Sequence, residues 1–335
     1  MLEFLRQVSK KPTRIYIISF FSIAVNTLVL SSCGNNNDTE IKNDLPPEAP
    51  WYGWNQYQIK PEDSLVRLGY DLIENTSYYF GPKGKIAAIS NGMNCQNCHI
   101  AGGIIPWGNN FSAVIMSYPR VNYRSGKMMS ISRRVNDCFE RSLNGIAIDT
   151  TSHEMQAIIA YMHWIGDDIH ITNDKKPLGS GIMQLPFLDR AADPAKGKIV
   201  YVLTCQRCHG TNGQGQPNRD GSAYMYPPLW GDNSYNTGAG LYRISGFAGF
   251  VKNNMPFPGI TYDHPELTNE EAWDVAAYVN SQPRPLNKSK SDFPDISKKL
   301  IDDPSGPYTD TFSKEQHKFG PFKPIMDAME KRKKE

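Results

Sequence analysis

The sequence predicts a mainly α-helical protein made of two similar units in tandem, and three observations lead to this prediction. The same five-residue pattern, C-x-x-C-H, occurs at 95–99 and again at 205–209. An amphipathic stretch precedes each pattern, and another closes each unit. The chain has 335 residues, which is enough for two domains with separate hydrophobic cores.

Each of the two pentads combines two thiols with an imidazole. This pattern is typical of c-type haem attachment, in which the thiols bond to the vinyl groups and the histidine binds the iron. The residues are Cys95, Cys98 and His99 in the first unit and Cys205, Cys208 and His209 in the second. Two half zinc sites are the alternative, but neither pentad has another Cys or His pair nearby to complete four ligands. The sequence therefore predicts two covalently attached c-type haems.

Helical spacing of apolar residues marks both ends of the first unit. The stretch 63–75 has this spacing, and so does 152–166, where Ser152 is a suitable N-cap and Gly166 a suitable end. A Gly-, Ser- and Asn-rich loop separates the first of these stretches from its pentad. The order in this unit is therefore helix, pentad, long loops and closing helix.

The second unit repeats this order. Residues 194–205 read as a helix that runs into the pentad, and 268–281 opens with a capping box formed by Thr268 and Glu271. The succession of elements resembles the small cytochrome c fold, and it occurs twice. We therefore expect two tandem cytochrome c-like domains, each enclosing one covalently bound haem.

The predicted domain boundaries follow from these elements and from composition. They are a lipoprotein-type signal peptide at 1–32, a flexible tether at 33–49, the N-terminal domain at 50–170, a linker at 171–192, the C-terminal domain at 193–283 and a Pro- and Lys-rich extension at 284–335. The basic run that ends the extension is most simply a solvated tail, and a docking patch is the alternative.

The N-terminal segment has the pattern of a secretion signal. Four basic residues precede an apolar stretch at 15–30, which is too short and too interrupted for a spanning helix. The Leu-Ser-Ser-Cys sequence ending at Cys33 resembles the bacterial lipobox, in which cleavage before the cysteine leaves that thiol lipidated. An ordinary signal peptide or an uncleaved anchor are the alternatives. We expect a periplasmic protein, lipid-anchored to a membrane through Cys33.

The charge balance excludes one class of partner. The formal net charge is +2, and removal of 1–32 takes away four basic residues and one acidic residue, which leaves −1 on the mature chain. A nearly neutral chain is not expected to bind nucleic acid. Any anion must therefore be attracted by a local cluster of cations.

Cys138 is the one cysteine that neither the lipobox nor the haems use. It is either a buried apolar side chain, as free cysteines often are, or an axial thiolate on the first haem. Three neighbouring arginines, Arg133, Arg134 and Arg141, would favour the thiolate, and its distance after His99 suits a distal ligand. The competing ligands in this half are Met116, Met128, Met129, His153, His163 and His170.

Met255 is the expected sixth ligand of the second haem. It stands directly before a proline in Asn-Met-Pro, and a thioether opposite an imidazole raises a haem's potential. Met225 is its competitor. The segment 226–230 is expected to line this haem, with a carbonyl that accepts the ring N–H of His209.

Six cations lie between positions 120 and 141, against two carboxylates. They are Arg120, Arg124, Lys127, Arg133, Arg134 and Arg141. A solvated face is the simplest interpretation of such a run. Around a thiolate-ligated iron, however, arginine forks suit the oxygens of a small sulfur or phosphorus dianion.

The stretch Arg134-Val-Asn-Asp-Cys138-Phe-Glu-Arg-Ser142, flanked by the two pentads, resembles the di-haem thiosulfate dehydrogenases, which include tetrathionate reductases. The resemblance covers most of 50–285. It implies ligation of the first haem by His99 and Cys138 and of the second by His209 and Met255. It also implies substrate contacts from Arg124, Arg134 and Ser142. Some relatives have Lys directly before the distal Met, where this chain has Asn254, so ligand exchange at that iron is not expected.

The function that this resemblance implies is the interconversion of two thiosulfates and one tetrathionate. We expect Cys138 to bond transiently to a substrate sulfur, and electrons to pass from the first haem to the second and then to an external cytochrome. A non-catalytic di-haem electron-transfer cytochrome and a di-haem peroxidase are the alternatives.

Overall fold

The computed structural model describes residues 58–167, 176–289 and 292–334, most of which belong to short helices and long loops. The first unit contains α1 Ser64–Glu74, α2 Thr76–Phe80, α3 Ile100–Gly103, α4 Ile131–Arg141 and α5 His153–Gly166, with an antiparallel hairpin of β1 Arg120–Asn122 and β2 Lys127–Met129. The second contains α6 Pro194–Val200, α7 Gln206–His209, α8 Ile244–Asn254 and α9 Asn269–Ser281, with β3 Gln216–Pro217 paired to β4 Tyr224–Tyr226. Two more helices follow, α10 Lys314–Phe319 and α11 Lys323–Lys334.

The helices predicted from periodicity and caps are present. The predicted 63–75 helix is α1, and the Ser152 hydroxyl caps α5 by accepting the Met155 N–H at 3.2 Å. The Thr268 and Glu271 capping box opens α9, with both reciprocal bonds formed. The predicted 194–205 helix is α6 followed by one turn of π-helix, which leads into the second pentad.

A glycine crossing holds the first and last helices together in each unit. A Cβ at Gly69 in α1 would lie 2.0 Å from the carbonyl oxygen of Ala157 in α5. A Cβ at Gly197 in α6 would lie 1.8 Å from the carbonyl oxygen of Asp274 in α9. Only glycine permits such a close backbone approach. The two units therefore have the same type of crossing between their first and last helices.

The two units also contact each other at the end of α4, the helix that carries Cys138. The side-chain amide of Asn236, from the second unit, donates to the carbonyl of Glu140 at 2.9 Å, and its backbone N–H donates to that of Arg141 at 3.0 Å. These are two of the carbonyls that a helix end leaves without internal partners. The second unit therefore terminates a helix of the first.

The C-terminal extension and the predicted linker pack on the body of the protein. Phe322 lies between Phe187 and Trp273, with ring centroids 5.2 and 5.8 Å away, and Ile325 is fully buried. The Trp273 indole donates to the Pro186 carbonyl at 3.0 Å. The extension thus contributes to the core of the second unit, and its basic run lies on α11, where Lys331 and Arg332 are exposed.

The predicted signal peptide, Cys33, the tether and His170 lie outside the described residues. Among the helices that the structure describes, none combines the length and apolar character needed to cross a lipid bilayer.

Candidate functional site

The first pentad opens onto a cavity of 380 Å³ that Cys95, Cys98 and His99 line. Nδ1 of His99 donates to the carbonyl of Asn109 at 2.7 Å, and burial lowers the pKa of this imidazole to about 4. The ring is therefore neutral, and its other nitrogen, which lies 3.3 Å from the Asn109 amide, has a lone pair that can bind iron.

Cys138 lines the same cavity, one helical turn after Arg134 on α4. Residues four apart share a helix face, and Nη1 of Arg134 donates to the Cys138 sulfur at 2.9 Å. The charge of Cys138 as a thiolate raises the pKa of Arg134. Ser142, the residue that ends α4, is also in the lining.

The charged side chains around this cavity are all cations. Arg120, Arg134, Lys176 and Arg243 line it, and none of the described lining residues is Asp or Glu. Sequence analysis did not identify Lys176 or Arg243, which come from outside the basic cluster. No local pattern marks either residue, because the chain brings them to the cavity only through tertiary packing.

The predicted cation cluster is divided between several partners. Of its six members, Arg120 and Arg134 line the cavity. Arg133 pairs with Asp137 and Glu140 at 2.9 and 2.6 Å. Most of the cluster thus does not form one anion site.

Arg124 is the predicted substrate contact that the structure places elsewhere. Among the described residues it is not part of the cavity lining; its guanidinium donates to the Gly238 carbonyl and lies 4.0 Å from Asp292. Its contact with substrate stays a prediction. Arg134, Cys138 and Ser142, by contrast, are brought together with the pentad.

The competing ligands proposed for the first haem that the structure describes do not line its cavity. Within the described residues, Met116, Met128, Met129, His153 and His163 are absent from the lining. Met93 and Met162 do line it, and Met162 is 7% exposed. Sequence analysis did not consider these two methionines as ligands; Met162 lies within α5, where a buried Met is indistinguishable from core packing.

The second pentad opens onto a cavity of 460 Å³ lined by Cys205, Cys208, His209 and Met255. Nδ1 of His209 donates to the Pro227 carbonyl at 2.8 Å, the type of contact predicted for this segment. Met225 lines the cavity too but is 67% exposed, whereas Met255 packs against the hydrophobic core. This packing favours Met255 as the sixth ligand.

The charge around the second cavity differs from that around the first. Glu74 is in the lining, and no Lys or Arg is found among the described lining residues. Asn254, which precedes Met255, is buried and donates to the carbonyls of Trp107 and Phe250 at 3.1 and 2.9 Å. The residue before Met255 is thus an asparagine, and its side-chain amide forms a hydrogen bond between the two units.

One layer of residues separates the two cavities. Met93, Asn94, Cys98, Tyr235 and Leu241 line both of them. Groups bound in the two cavities would therefore share these contact residues.

The residues at both pentads fit c-type haems. No disulfide joins the four pentad cysteines, so all four thiols can form thioethers. Each cavity is largely apolar, and each histidine has its ring fixed by a carbonyl. A zinc site is not built from these side chains, since no cluster of three or more His, Cys, Asp or Glu occurs in the part of the chain that the structure describes.

Comparison with protein families gives a match for each of the two units. Residues 194–283 match the family described as cytochrome c, and residues 85–171 match the family described as SoxA/TsdA, cytochrome c domain. Two cytochrome c domains in tandem carry two covalently attached c-type haems. The predicted fold class, mainly α with two cytochrome c-like domains, and the predicted cofactors are confirmed.

Similar proteins share one name. A thiosulfate dehydrogenase of Psychrobacter arcticus is 38% identical over 239 residues, which cover 69% of this chain and 67% of that protein. One from Allochromatium vinosum is 38% identical over 224 residues, covering 65% and 80%. The solved structure of thiosulfate dehydrogenase (TsdBA) from Marichromatium purpuratum matches with a TM-score of 0.60 and 30% identity over 68% of this chain. The match spans 47% of the length of that structure's chain.

Proposed function

This chain belongs to the thiosulfate dehydrogenase family, and from that premise we propose that it interconverts two thiosulfates and one tetrathionate. In the oxidative direction two dianions join through a new S–S bond, which gives one dianion and releases two electrons. Haems bound at the two pentads would supply two one-electron acceptors, from which an external cytochrome would receive the electrons. The observation that carries the proposal is the first cavity, where a thiol is paired with an arginine and the described lining residues include cations and no carboxylate.

The main physical difficulty of this reaction is charge repulsion. Each pair of unit negative charges at ~4 Å costs about 4 kcal/mol at an effective dielectric constant of 20. Two dianions bring four such pairs together. Arg134 and the other cations of the lining offset this repulsion, and planar guanidinium groups fit sulfonate oxygens through paired hydrogen bonds.

We assign the roles of the site residues as follows. His99 and Cys138 hold the iron of the first haem, and His209 and Met255 hold that of the second. Arg134 donates a hydrogen bond to the Cys138 sulfur and binds the substrate, and the Ser142 hydroxyl donates to a sulfonate oxygen. Arg124, which does not line the cavity, stays a predicted substrate contact.

Cys138 also serves as a nucleophile in this scheme. Its thiolate would leave the iron and bond to the terminal sulfur of one thiosulfate, and the two electrons lost would go to the one-electron acceptors that haems at the two pentads would supply. The second thiosulfate then attacks that sulfur, the bond to Cys138 breaks, and tetrathionate leaves while the thiolate is restored. The repulsive meeting of two free dianions is thereby replaced by two steps that each involve one dianion.

Stoichiometry tests the proposal. The purified di-haem protein, given thiosulfate and ferricyanide without oxygen, is expected to form one tetrathionate for every two thiosulfates consumed and two ferricyanides reduced. Sulfate serves as the inert control. Two results together would overturn the assignment. Dithionite would reduce the haems while thiosulfate would not, and thiosulfate and tetrathionate would not be interconverted in either direction.

We further propose that the protein is periplasmic and anchored through a lipid on Cys33. The support is the sequence pattern at 1–33 and the attachment of c-type haem outside the cytoplasm. Mass spectrometry of the mature N-terminus tests this proposal. A lipid-modified Cys33 at the first position is expected, and an unmodified terminus elsewhere would exclude it.

A further inference from the structure

Arg243 is the residue of the second cytochrome domain that brings a cation to the first cavity. It stands at the N-cap of α8 and lines the cavity together with Arg134 and Cys138. Its side chain is 27% exposed, so it lies at the rim and not in the core. The first cavity is thus completed by a cation from the other domain.

The Arg243 side chain is held in a fixed direction by Asp302. Nε donates to Oδ1 of Asp302 at 2.8 Å, and Nη2 lies 2.7 Å from the same carboxylate and 3.1 Å from the Ser245 hydroxyl. Nη1 makes no hydrogen bond to any described residue. One edge of the guanidinium is therefore anchored, and two N–H donors remain for a ligand.

Asp302 is built to hold this arginine. Its side chain is 1% exposed, and its second oxygen accepts from both the backbone N–H and the hydroxyl of Ser245, at 3.2 and 2.5 Å. A buried carboxylate with all of its acceptors used is fixed in position. It lies behind the guanidinium, so the pair presents its positive side to the cavity although its net charge is zero.

The positioning residue comes from the C-terminal extension. Asp302 lies beyond both regions that match cytochrome c families, 85–171 and 194–283. The neighbouring carbonyl of Ile301 accepts a hydrogen bond from the buried His317 at 2.8 Å, which fixes this part of the extension. The extension thus reaches the first cavity through one arginine of the second domain.

We propose that Arg243 binds a sulfonate oxygen of the substrate in the first cavity, and that Asp302 is the residue that positions it. This inference rests on the proposed function and adds a substrate contact supplied by the second domain. A fixed guanidinium edge also suits a haem propionate, and the experiment is designed to separate the two ligands.

The experiment compares Arg243→Gln, Arg243→Lys and Asp302→Asn with the unmodified di-haem protein. Calorimetry measures tetrathionate binding to the fully oxidised protein, in which no electrons are available for turnover, and steady-state assays give KM and kcat. Arg243→Gln is expected to weaken tetrathionate binding and raise the thiosulfate KM by tenfold or more, because a charge-assisted hydrogen bond is lost. For Arg243→Lys and Asp302→Asn, tetrathionate affinity and KM are expected to lie between those of Arg243→Gln and of the unmodified protein. The positive charge remains in both variants, but it is no longer held in the same direction.

Arg190→Gln is the matched control. Arg190 pairs with the buried Asp274 at 2.7 Å in the second domain but lines neither cavity. It therefore reproduces the loss of a cation beside a buried carboxylate, and tetrathionate binding is expected to be unchanged. If Arg243→Gln does not give folded protein, Arg243→Lys and Asp302→Asn decide the question.

Two results would overturn the inference. Tetrathionate affinity and KM within twofold of the unmodified protein would exclude the contact. An unchanged affinity together with a shifted potential of the first haem would assign Arg243 to a propionate. Absence of thiosulfate turnover in the unmodified protein is a different outcome, because it removes the proposed function itself.

Discussion

The two haem cavities have the same construction and opposite electrostatics. In each, the histidine of a C-x-x-C-H pentad donates through Nδ1 to a backbone carbonyl, at 2.7 Å in the first and 2.8 Å in the second. Four cations and no carboxylate line the first, whereas one carboxylate and no Lys or Arg line the second, among the described residues. The repeated fold supplies two redox centres. The lining side chains decide which of them receives an anion.

The proposed sixth ligands differ in the same way. Cys138 lies inside a helix, paired with a cation, whereas Met255 follows a helix and packs against apolar side chains. A thiolate stabilises ferric iron and a thioether favours the reduced state, so electrons are expected to move from the first cavity to the second. This comparison can be tested by substitutions on each side.

The largest effect is expected from Cys138→Ala. Loss of the thiolate removes both the proposed iron ligand and the nucleophile, so thiosulfate oxidation should fall by at least 10³-fold. Both haems should stay attached, because their thioether bonds do not involve this residue, and a pyridine haemochrome assay checks this. Met255→Ala is the matched change in the second cavity, and it should alter the second haem's potential without abolishing thiosulfate binding. A Cys138→Ala enzyme with full activity would contradict the proposed difference in role between the two cavities.

A smaller loss is expected from Arg134→Gln. This change removes the hydrogen bond to the Cys138 sulfur and one cation from the lining, and the effect on kcat/KM should be about 10²-fold. Arg207→Gln is the control, since Arg207 is an exposed arginine within the second pentad that does not line the second cavity. Steady-state assays of both variants check the expectation. Equal effects from the two substitutions would indicate that general surface charge, and not the first cavity, attracts the substrate.

The smallest effect on activity, with a marked effect on stability, is expected from Asp292→Asn. Asp292 holds the buried Arg141 through two bonds of 2.7 and 2.8 Å, and breaking a pair of this kind should lower the free energy of unfolding by about 2–4 kcal/mol. The nearby Asp295 is exposed, and among the described residues its side chain accepts hydrogen bonds from Ser297 alone. Asp295→Asn should therefore change the free energy of unfolding little. Chemical denaturation of both variants measures the difference.

The same contact gives a dependence on pH. Burial alone would raise the pKa of Asp292, but the hydrogen bond and charge of Arg141 outweigh burial and hold the pKa below its ordinary value. The ionised carboxylate therefore stabilises the fold above about pH 4, and this contribution is lost as the pH falls further. The difference between the unmodified protein and Asp292→Asn should narrow in that range. A difference that stays constant down to pH 3 would contradict the assignment.

Short-range signals allowed much of the fold to be predicted. The pentads, the Ser152 cap and the Thr268 capping box each depend on residues within a few positions of one another. Such patterns are visible in the sequence because their chemistry is local. The fold class and the haems were therefore accessible before the structure.

The contacts that complete the first cavity could not be predicted in this way. Arg243 and Asp302 are 59 positions apart, and Arg141 and Asp292 are 151 apart. In the sequence both carboxylates resemble surface residues of a polar extension, and only tertiary packing brings their arginine partners to them. The same reason explains why the Pro- and Lys-rich extension gave no sign of its buried Ile325.

The amide of Asn236 at the end of α4 bears on how such proteins diversify. A residue of one repeat terminates α4 of the other, the helix that carries Cys138, so the two halves depend on each other at this point. If recombination replaced the second half with a different cytochrome domain, the Glu140 and Arg141 carbonyls would lose the Asn236 donors. The replacing domain would have to supply an equivalent donor. Exchange of one half is therefore expected to need a compensating change at this contact.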